Sequence, residues 1–577
     1  MQTESFIPGK DASLESTIRT MQEKLAARGF HLDESSWLNP VDAVWSVHVR
    51  DHDCPMLFAN GKGATKLASR ASALGEFFER LGTHYFWTHF YLGETRANRP
   101  FVHYPQERWF APTADGKWPT ELLNPELQAF YNPEGDIDGE VLVDLNSGNV
   151  ERGICALPYT RLSDGAKTWF PVNIIGNLFV SNGMAAGNTQ QEARSQAMSE
   201  IFERHIKYRI IKEGLCLPEV PEHVIARYPG IAAGIKGLRD AGFGILVRDA
   251  SLGGRYPVMN VTLLHPKDQG VFPSFGAHPR FEIALERALT ELLQGRALES
   301  LEGFPEPGFD MEEIQLASNL EIHFVDSSGV VSWNFLGDKP DHPFADWNFS
   351  TTTAEDYAWL CDCIKREGKE IYIADFAEQG AYSCRILVPG MSEIYPIEDL
   401  EWENNSIGNR MRPALVRIHE LDELECADLL VDLQTSNLND ERPLWEILGL
   451  AIPVGTNWKQ LRIGELKTLL ALAIGDEEAT REGCDWIHHY AQLEPARRLV
   501  YRCIESLMNL DDVENQRRAL TLLYGKETLR QAEALLTREE RFFGLETLGA
   551  DMQGSAMHQT LLLAYDKLFA PSQIATQ

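Results

Sequence analysis

The chain has 577 residues, more than a single hydrophobic core usually supports, so two or more domains are expected. Its 85 acidic residues outnumber its 53 basic residues, and the net charge of −32 argues against nucleic acid or an anionic membrane as a main partner. The nine cysteines are scattered without a zinc or redox spacing, and no signal core or membrane-length apolar run is present, which predicts a cytoplasmic protein with reduced thiols.

Apolar periodicity over residues 1–405 predicts a mixed α+β domain. In chain order we predict a helix at 14–28, strands at 44–49 and 55–59, a glycine-rich turn at 61–63 that opens a long helix, an irregular stretch at 96–139, strands at 141–145, 153–161 and 168–179, a helix from Asn188-Thr189 to 208, a helix at 222–241, strands at 244–248 and 258–264, a helix at 280–297, and strands at 370–375 and 385–388. The alternation lacks the even rhythm of a doubly wound sheet, which favours the α+β class.

After about residue 440 the pattern changes to amphipathic helices joined by short turns. Residues 406–440 are predicted to be a linker and residues 441–577 an all-α domain. Paired helices of this length resemble a tetratricopeptide-type array, a construction that commonly binds protein or dimerises. A plain helical bundle that caps the first domain is the alternative.

Three separated segments repeat nearly the same helical phrase. They are residues 73–80 (ALGEFFER), 197–204 (AMSEIFER) and 288–295 (ALTELLQG). In each copy, two acidic or amide side chains lie three residues apart, which puts them on one helix face, a turn apart. An exposed ion pair, Glu76 with Arg80 or Glu200 with Arg204, would explain a single copy. It does not explain a phrase that recurs after 124 and then 91 residues.

The apolar residues inside these phrases predict that the three helices are largely buried, and buried carboxylates need cations or strong donors. Oxygen donors without a nearby His or Cys pattern indicate Mg²⁺ rather than Zn²⁺. Several carboxylates around Mg²⁺ commonly hold a triphosphate. We therefore predict one composite site for hard cations and a phosphorylated ligand.

Known phosphate-binding motifs are missing. Gly61-Lys62-Gly63 resembles the end of a P-loop, but Gly63 stands where Ser or Thr is required and the upstream glycine is absent. The small residues of 181–188 are predicted to bring backbone N–H groups onto phosphate at the start of the second Glu helix. The candidate basic phosphate ligands are Lys10, Arg80, Arg204, Arg287 and Arg296.

Five stretches resemble the YcaO family, ATP-using enzymes that activate amide carbonyls. They are residues 61–81 (GKGATKLASRASALGEFFERL), 181–204 (SNGMAAGNTQQEARSQAMSEIFER), 249–258 (DASLGGRYPV), 275–296 (FGAHPRFEIALERALTELLQGR) and 388–396 (VPGMSEIYP). The resemblance implies the cofactors ATP and Mg²⁺. The implied metal-binding residues are Glu76, Glu79, Glu200 and Glu203, and the implied nucleotide-binding residues are Lys10, Thr17, Glu192, Arg204, Arg287 and Glu291. It assigns no catalytic residue.

Residues 6–15 (FIPGKDASLE) and the helical C-terminal part resemble family members that assist methylthiolation of a small-subunit ribosomal protein. This implies a RimO-type methylthiotransferase or its ribosomal-protein substrate as partner. The array-like pattern of the helical domain in addition predicts a homodimer formed through that domain. In relatives that form azolines or thioamides, an amide oxygen attacks ATP. Azoline-forming relatives end in a PxPxP tail, whereas residues 568–577 contain the single proline Pro571, so peptide cyclodehydration is not expected.

The expected function is therefore an accessory factor that binds ATP and Mg²⁺, hydrolyses ATP and assists that methylthiolation. The alternative is a non-catalytic, nucleotide-gated adaptor whose helical domain holds a partner. A carboxylate-metal hydrolase that uses no nucleotide is a third, weaker hypothesis.

Overall fold

The computed structural model describes residues 4–144, 148–377, 381–400, 407–436, 438–490 and 492–569. Its strands are β1 Leu32–Val41, β2 Val44–Asp51, β3 Phe58–Gly63, β4 Arg108–Phe110, β5 Ile154–Arg161, β6 Lys167–Pro171, β7 Met184–Gly187, β8 Gly244–Asp249, β9 Val258–Leu264, β10 Val271–Ala277, β11 Tyr372–Phe376 and β12 Tyr382–Leu387.

Its helices in the first part of the chain are α1 Leu14–Ala27, α2 Lys66–Gly82, α3 Glu94–Ala97, α4 Pro125–Tyr131, α5 Val172–Ile174, α6 Gln190–Glu213, α7 Glu222–Ile225, α8 Pro229–Asp240, α9 Phe281–Leu292, α10 Met311–Ile314, α11 Ala317–Val325 and α12 Thr353–Arg366. The later helices are α13 Arg412–Leu415, α14 Glu423–Thr435, α15 Leu444–Ile447, α16 Asn457–Gln460, α17 Ile463–Ile474, α18 Glu477–His489, α19 Pro495–Asn509, α20 Val513–Tyr524, α21 Lys526–Leu536 and α22 Ala556–Asp566.

The strands form three antiparallel sheets. Their orders are β1-β2-β3, then β4-β5-β11-β12-β7 with β6 paired to β5, and β10-β9-β8. Among the described residues no strand follows β12, and the chain after it is helical. The predicted fold class, a mixed helix-and-sheet domain followed by a helical domain, is confirmed.

Each copy of the Glu phrase lies on a helix that follows a strand directly, as β3–α2, β7–α6 and β10–α9. Glycines let each strand lie against its own helix. A Cβ added to Gly61 would stand 1.9 Å from the Ser69 carbonyl oxygen, and one added to Gly276 would stand 2.3 Å from the Ala288 nitrogen. No side chain fits in either place, so the close approach of strand to helix depends on glycine there.

The first two Glu helices also begin in the same way. The Thr65 hydroxyl accepts a hydrogen bond from the Ala68 N–H at 3.1 Å, and the Thr189 hydroxyl accepts one from the Glu192 N–H at 3.2 Å. Each cap satisfies an N–H that the first turn of a helix leaves without a partner. Each threonine lies eleven residues before the first glutamate of its phrase, so the repeat extends back to the helix start.

The apolar residues of the three phrases belong to three separate apolar clusters, which places the space between the helices where the three clusters meet. The predicted burial of these helices is confirmed, since each of the phrase residues expected to be buried is at most 1% exposed. They are Phe77, Phe78, Ile201, Phe202, Leu292 and Leu293. Burial of such large side chains fixes the direction in which the polar face of each helix points.

The later helices α14, α17, α18, α19 and α21 share one further apolar cluster. Helix α14 lies within the predicted linker 406–440, and its buried Leu429 and Leu433 join that cluster. The C-terminal helix α22 instead packs on the first part of the chain, where the Tyr565 hydroxyl donates to the Val102 carbonyl at 2.7 Å. The boundaries 1–405, 406–440 and 441–577 remain a prediction.

Within the described ranges, none of the helices is both long enough and apolar enough to cross a membrane.

Several predicted elements were wrong in type or extent. Residues Gly139–Leu142 form a 3-10 turn rather than the start of a strand at 141–145, whose last residue lies outside the described residues. The strand predicted at 168–179 ends at Pro171, and the chain continues as helix with a π-helical turn at Ile175–Phe179. Short apolar runs do not distinguish a strand from a buried helix, which accounts for this error.

Other differences concern boundaries. The strand expected at 55–59 is β3, which includes the expected glycine-rich turn at 61–63. The helix at 222–241 is divided into α7 and α8, because Pro229 begins a new helix. The helix expected to reach 297 ends at Leu292, and β1 and β10 were not predicted.

Candidate functional site

A cavity of about 780 Å³ lies among α1, β3, α2, α6, α9 and the end of α11. All ten predicted binding residues line it: Lys10, Thr17, Glu76, Glu79, Glu192, Glu200, Glu203, Arg204, Arg287 and Glu291. Nine acidic and seven basic side chains share its wall, so the cavity suits a ligand that brings both signs, such as a phosphate anion with divalent cations. The roles of the individual residues as ligands remain predictions.

The first glutamate of each of the first two phrases pairs with the arginine four residues later. An Arg80 guanidinium nitrogen lies 2.6 Å from Glu76 Oε1, and an Arg204 nitrogen lies 2.9 Å from Glu200 Oε1. These are the ion pairs considered as the simpler explanation of a single phrase. They lie in the cavity wall, where the four side chains are only 17–26% exposed. The same glutamates thus form helix ion pairs and also line the predicted binding site.

The second glutamate of each of these phrases is unpaired. Within the described residues, the carboxylates of Glu79 and Glu203 have no hydrogen-bond or ion-pair partner. Burial raises the pKa of Glu79 well above its ordinary value, and the like charges of Glu200 and Glu76 raise it further. Helix α6 therefore holds a carboxylate close enough to α2 for its charge to oppose the ionisation of Glu79.

Across the described parts of the chain, no three His, Cys, Asp or Glu side chains are grouped as ready-made metal ligands. Two of the four predicted metal-binding carboxylates, those of Glu76 and Glu200, are held by arginines instead. The donor set still fits a hard cation, because it is oxygen-only and a divalent ion would relieve the repulsion at Glu79.

The segment before α1, which we call the N-terminal arm and which contains Lys10 and Asp11, is bonded to Glu192 in the cavity wall. The Lys10 ammonium donates to Glu192 Oε1 at 3.2 Å, and the Asp11 N–H donates to Glu192 Oε2 at 3.0 Å. The Asn188 amide also donates to Glu192, at 3.0 Å, and accepts from the Thr17 hydroxyl at 2.9 Å. Three of the predicted nucleotide-binding residues, Lys10, Thr17 and Glu192, thus form one connected network.

Helix α9 adds a cation and a carboxylate to the wall. Arg287 donates to the Gln196 amide oxygen at 2.6 Å, and Glu291 forms an ion pair with Lys62. Arg204 lies over the Phe324 ring, 4.4 Å from its centre, which keeps its guanidinium at the cavity edge. The third copy therefore contributes differently from the first two, since Gln294 replaces its second glutamate.

Two cavity lysines were missed in the sequence. Lys62 belongs to the incomplete P-loop pattern, and it lies near the end of β3, shortly before the first Glu helix. Lys207 lies one turn after Arg204 on α6, and its ammonium donates to the Ser327 hydroxyl at 2.8 Å. Burial lowers the pKa of Lys207 to about 7. The three-residue spacing from Arg204 was the signal for Lys207.

The segment 181–188 is less flexible than predicted, since Met184–Gly187 forms β7 and pairs with β12. Ser181 and Asn188, on either side of this strand, line the cavity. The proline-poor tail cannot be placed against the cavity, because residues 570–577, including Pro571, lie outside the described residues.

Comparison with known proteins gives two family matches along the chain. Residues 60–392 match the family model described as YcaO cyclodehydratase, ATP- and Mg²⁺-binding, and residues 408–573 match the YcaO cyclodehydratase C-terminal domain. The chain is 49% identical over 575 residues to the ribosomal protein S12 methylthiotransferase accessory factor YcaO of Escherichia coli (strain K12), with 98% of each chain covered. It is 45% identical over 582 residues to an uncharacterized protein of Haemophilus influenzae, again with 98% of each covered.

Among solved structures, the chain is similar to the YcaO protein from Methanopyrus kandleri bound with AMPPCP and Mg²⁺. The identity is 17% and the TM-score is 0.42, and the match covers 68% of this chain and 94% of that one. The two family-model matches together span most of the sequence, and the E. coli relative matches nearly its whole length. The chain therefore belongs to the YcaO family and contains both its ATP- and Mg²⁺-binding domain and its C-terminal domain.

Proposed function

We propose that the chain binds ATP with Mg²⁺ in this cavity, hydrolyses ATP, and thereby assists methylthiolation of a small-subunit ribosomal protein. The observation that carries the proposal is that ten residues line one cavity. They come from the three Glu helices, from helix α1 and from the segment before α1 that contains Lys10. The description of the family domain as ATP- and Mg²⁺-binding and the name of the E. coli relative support it.

Glu76, Glu79, Glu200 and Glu203 would hold the metal ions. Arg80 and Arg204 now neutralise the first glutamate of each pair, so metal binding has to free Glu76 and Glu200 from these arginines. The freed guanidinium groups would then lie beside the phosphates, where planar arginine binds oxygen pairs well.

Lys10, Arg204 and Arg287 would donate to phosphate oxygens, while Glu192 and Glu291 would accept from hydroxyl or amino groups of the nucleotide. Thr17 acts through its hydroxyl, which is now bonded to Asn188. Bound Mg²⁺ and ATP supply an electrophilic phosphoryl group, which in azoline-forming relatives is attacked by an amide oxygen. The described residues do not single out a general base, so no catalytic residue is proposed.

The helical C-terminal domain is proposed to hold the partner, a RimO-type methylthiotransferase or its ribosomal substrate, and to form the homodimer. Leu522 and Leu523 on α20 support a protein-binding role, since they are 78% and 74% exposed on an amphipathic helix. Its tetratricopeptide likeness and the cytoplasmic location remain part of the proposal. Light scattering of the full-length chain measures the dimer, and a monomeric mass would contradict it.

The site assignment is tested by calorimetry with ATP and Mg²⁺ on the wild type and on Glu203→Gln. We expect the variant to bind about 10- to 100-fold more weakly, because an amide is a poor ligand for a hard cation. Glu213→Gln is the matched control, since Glu213 lies on the same helix and pairs with Arg209 outside the cavity. Equal, tight binding by the wild type and Glu203→Gln would reject the assignment.

Turnover separates the enzyme from the nucleotide-gated adaptor. Steady phosphate release that rises when the ribosomal protein is added supports the enzyme, whereas tight binding without release supports the adaptor. A metal-dependent activity without any nucleotide affinity would favour the carboxylate-metal hydrolase. The basic side chains of Lys10 and Arg287 in the cavity speak against that third possibility.

A further inference from the structure

Lys62 enters the cavity from a strand rather than from a Glu helix. It lies in β3 between Gly61 and Gly63. A Cβ on Gly61 would meet the Ser69 carbonyl oxygen, and one on Gly63 would stand 2.8 Å from the Ala68 Cβ. Because side chains alternate along a strand, the two glycines face α2 while Lys62 points the opposite way, into the cavity. The two glycines of the incomplete P-loop motif thus orient the side chain of Lys62 toward the cavity.

The Lys62 ammonium contacts the third copy of the Glu phrase and is influenced by the charges of the other two. It forms an ion pair with Glu291 and donates a hydrogen bond to the Gln294 amide oxygen at 3.1 Å, both in the third copy. Burial lowers its pKa to about 8, while the charges of Glu203 in the second copy and Glu76 in the first oppose that shift. Lys62 is therefore a cation placed among the carboxylates that are proposed to hold metal.

The ion pair of Lys62 is also more open to water than that of Arg204. Arg204 donates two hydrogen bonds to one oxygen of Glu200, at 3.1 and 2.9 Å. The partner of Lys62, Glu291, is 37% exposed, and ion pairs open to water contribute little stability. A lysine also moves its charge easily on a flexible four-carbon stem and binds phosphate as a point charge. The Lys62 ammonium can therefore leave the Glu291 carboxylate and bind a phosphate oxygen at little energetic cost.

We propose that Lys62 is a further nucleotide-binding residue, whose ammonium leaves Glu291 and binds the terminal phosphate of a nucleoside triphosphate. The proposal rests on the proposed function, because metal ions on Glu76 and Glu203 would remove the negative charge that now attracts Lys62. Without ligand, Lys62 stands in for that positive charge. It follows that Lys62 competes with metal alone but favours a metal-bound triphosphate.

The test is calorimetry on the full-length chain with three probes, namely Mg²⁺ alone, Mg·ATP and Mg·ADP. For Lys62→Gln we expect Mg·ATP to bind about 10- to 100-fold more weakly, the size of one lost charge-assisted hydrogen bond. Mg·ADP, which lacks the terminal phosphate, should change by less than threefold or so, a shift of well under one charge-assisted bond. Mg²⁺ alone should bind more tightly, because a competing cation is gone.

Two variants control for folding and for charge. Lys62→Arg keeps the charge and should recover most of the Mg·ATP affinity. Lys66→Gln removes an exposed lysine whose ammonium lies 4.6 Å from the Trp37 ring centre, outside the cavity, and should bind all three probes as the wild type does. The melting temperature of each variant without ligand verifies that the fold is kept.

The outcomes separate this inference from the proposed function. Failure of the wild type to bind Mg·ATP would overturn both. Wild-type binding of Mg·ATP together with an unchanged preference for ATP over ADP in Lys62→Gln would overturn the role of Lys62 alone. An equal loss for all three probes would show that Lys62 only supports the packing of β3.

Discussion

Partly or fully buried glutamates occur in both parts of the chain, but their charges are balanced differently. In the helical C-terminal part, Glu465 on α17 is 0% exposed and lies 2.5 Å from the guanidinium of Arg497 on α19. The Tyr501 hydroxyl donates to the same carboxylate at 2.7 Å. In the cavity, Glu79 and Glu203 have neither an ion pair nor a hydrogen bond among the described residues.

This difference separates a charge that serves the fold from charges kept for a ligand. The negative charge of a buried carboxylate that is paired with a guanidinium, as in Glu465, is balanced within the protein and requires no ligand. Carboxylates that crowd one another without partners destabilise the ligand-free fold, and a divalent cation would reverse that effect. The unpaired state of Glu79 and Glu203 among the described residues is thus better evidence of function than their partial burial.

The largest expected effect on stability concerns the buried pair of Glu465 and Arg497. Arg497→Met keeps a long side chain but leaves Glu465 buried without its cation. We expect the free energy of unfolding to fall by about 3–5 kcal/mol, the usual cost of removing one partner of a buried pair. Urea denaturation of the full-length chain measures it, and Mg·ATP affinity of the folded variant should be unchanged.

The matched control is Arg530→Met. Arg530 pairs with Glu527 on the surface, where the two side chains are 54% and 78% exposed. Its loss should cost less than about 1 kcal/mol, since water and salt screen exposed pairs. Similar values for the two variants would show that Glu465 and Arg497 are not a structural pair, and the comparison would fail.

The second largest expected effect concerns an unpaired cavity glutamate, and it is a gain rather than a loss of stability. Glu79→Gln replaces a half-buried carboxylate, whose ionisation the charges of Glu200 and Glu76 oppose, with a neutral amide. We expect the ligand-free chain to gain about 1 kcal/mol of stability, as is common when a functional but unfavourable charge is removed. Addition of Mg·ATP should then raise the melting temperature far less than in the wild type.

Glu76→Gln serves as the control on the same helix. Glu76 is paired with Arg80, so its neutralisation leaves a guanidinium without its partner and should bring no gain in stability. A loss of ligand-free stability in Glu79→Gln would mean that Glu79 supports the fold, contrary to the comparison.

The sequence was sufficient for much of the fold, and the exceptions have a common cause. Among the long periodic segments, α1 was predicted at 14–28 and is observed at Leu14–Ala27, whereas α6 was predicted to end at 208 and continues to Glu213. Strand β10 was missed because all seven of its residues are buried, so it shows no alternation, and it contains Pro273 and Gly276. Local pattern cannot report burial on both faces, which only the packing against β9 and α9 creates.

The site was predicted from a repeated pattern within this one sequence. A phrase that recurs three times indicated one shared purpose, and it led to Glu76, Glu79, Glu200, Glu203 and Glu291. Lys62 belongs to no repeat, and its place among these carboxylates follows from long-range packing of β3 between α2 and α9. Nor could the sequence tell that Glu76 and Glu200 are paired while Glu79 and Glu203 are not, since both members of each phrase share a helix face.

The smallest expected effect is a pH dependence that isolates Glu79. Its pKa in the folded chain is raised above the ordinary value of 4.5, first by burial and then by Glu200 and Glu76, with Arg80 and Arg204 opposing. From pH 4.5 upward, the folded state therefore holds a proton that the unfolded state has lost. Stability of the ligand-free wild type should fall as the pH rises through this range.

Urea denaturation at pH 5, 6 and 7 with a chelator present measures this loss against Glu79→Gln, which lacks the titrating group. The range stops at pH 7 because Lys207 and Lys62, with their pKa values lowered to about 7 and about 8, act near and above that pH with the opposite sign, and they do so in both proteins. The stability gap between the two proteins should widen as the pH rises, and parallel curves would contradict the prediction. Since a metal ion binds only the ionised carboxylate, stabilisation of the wild type by Mg²⁺ and ATP should instead grow over the same range. Opposite slopes with and without ligand would distinguish a charge kept for a cation from one that merely tolerates burial.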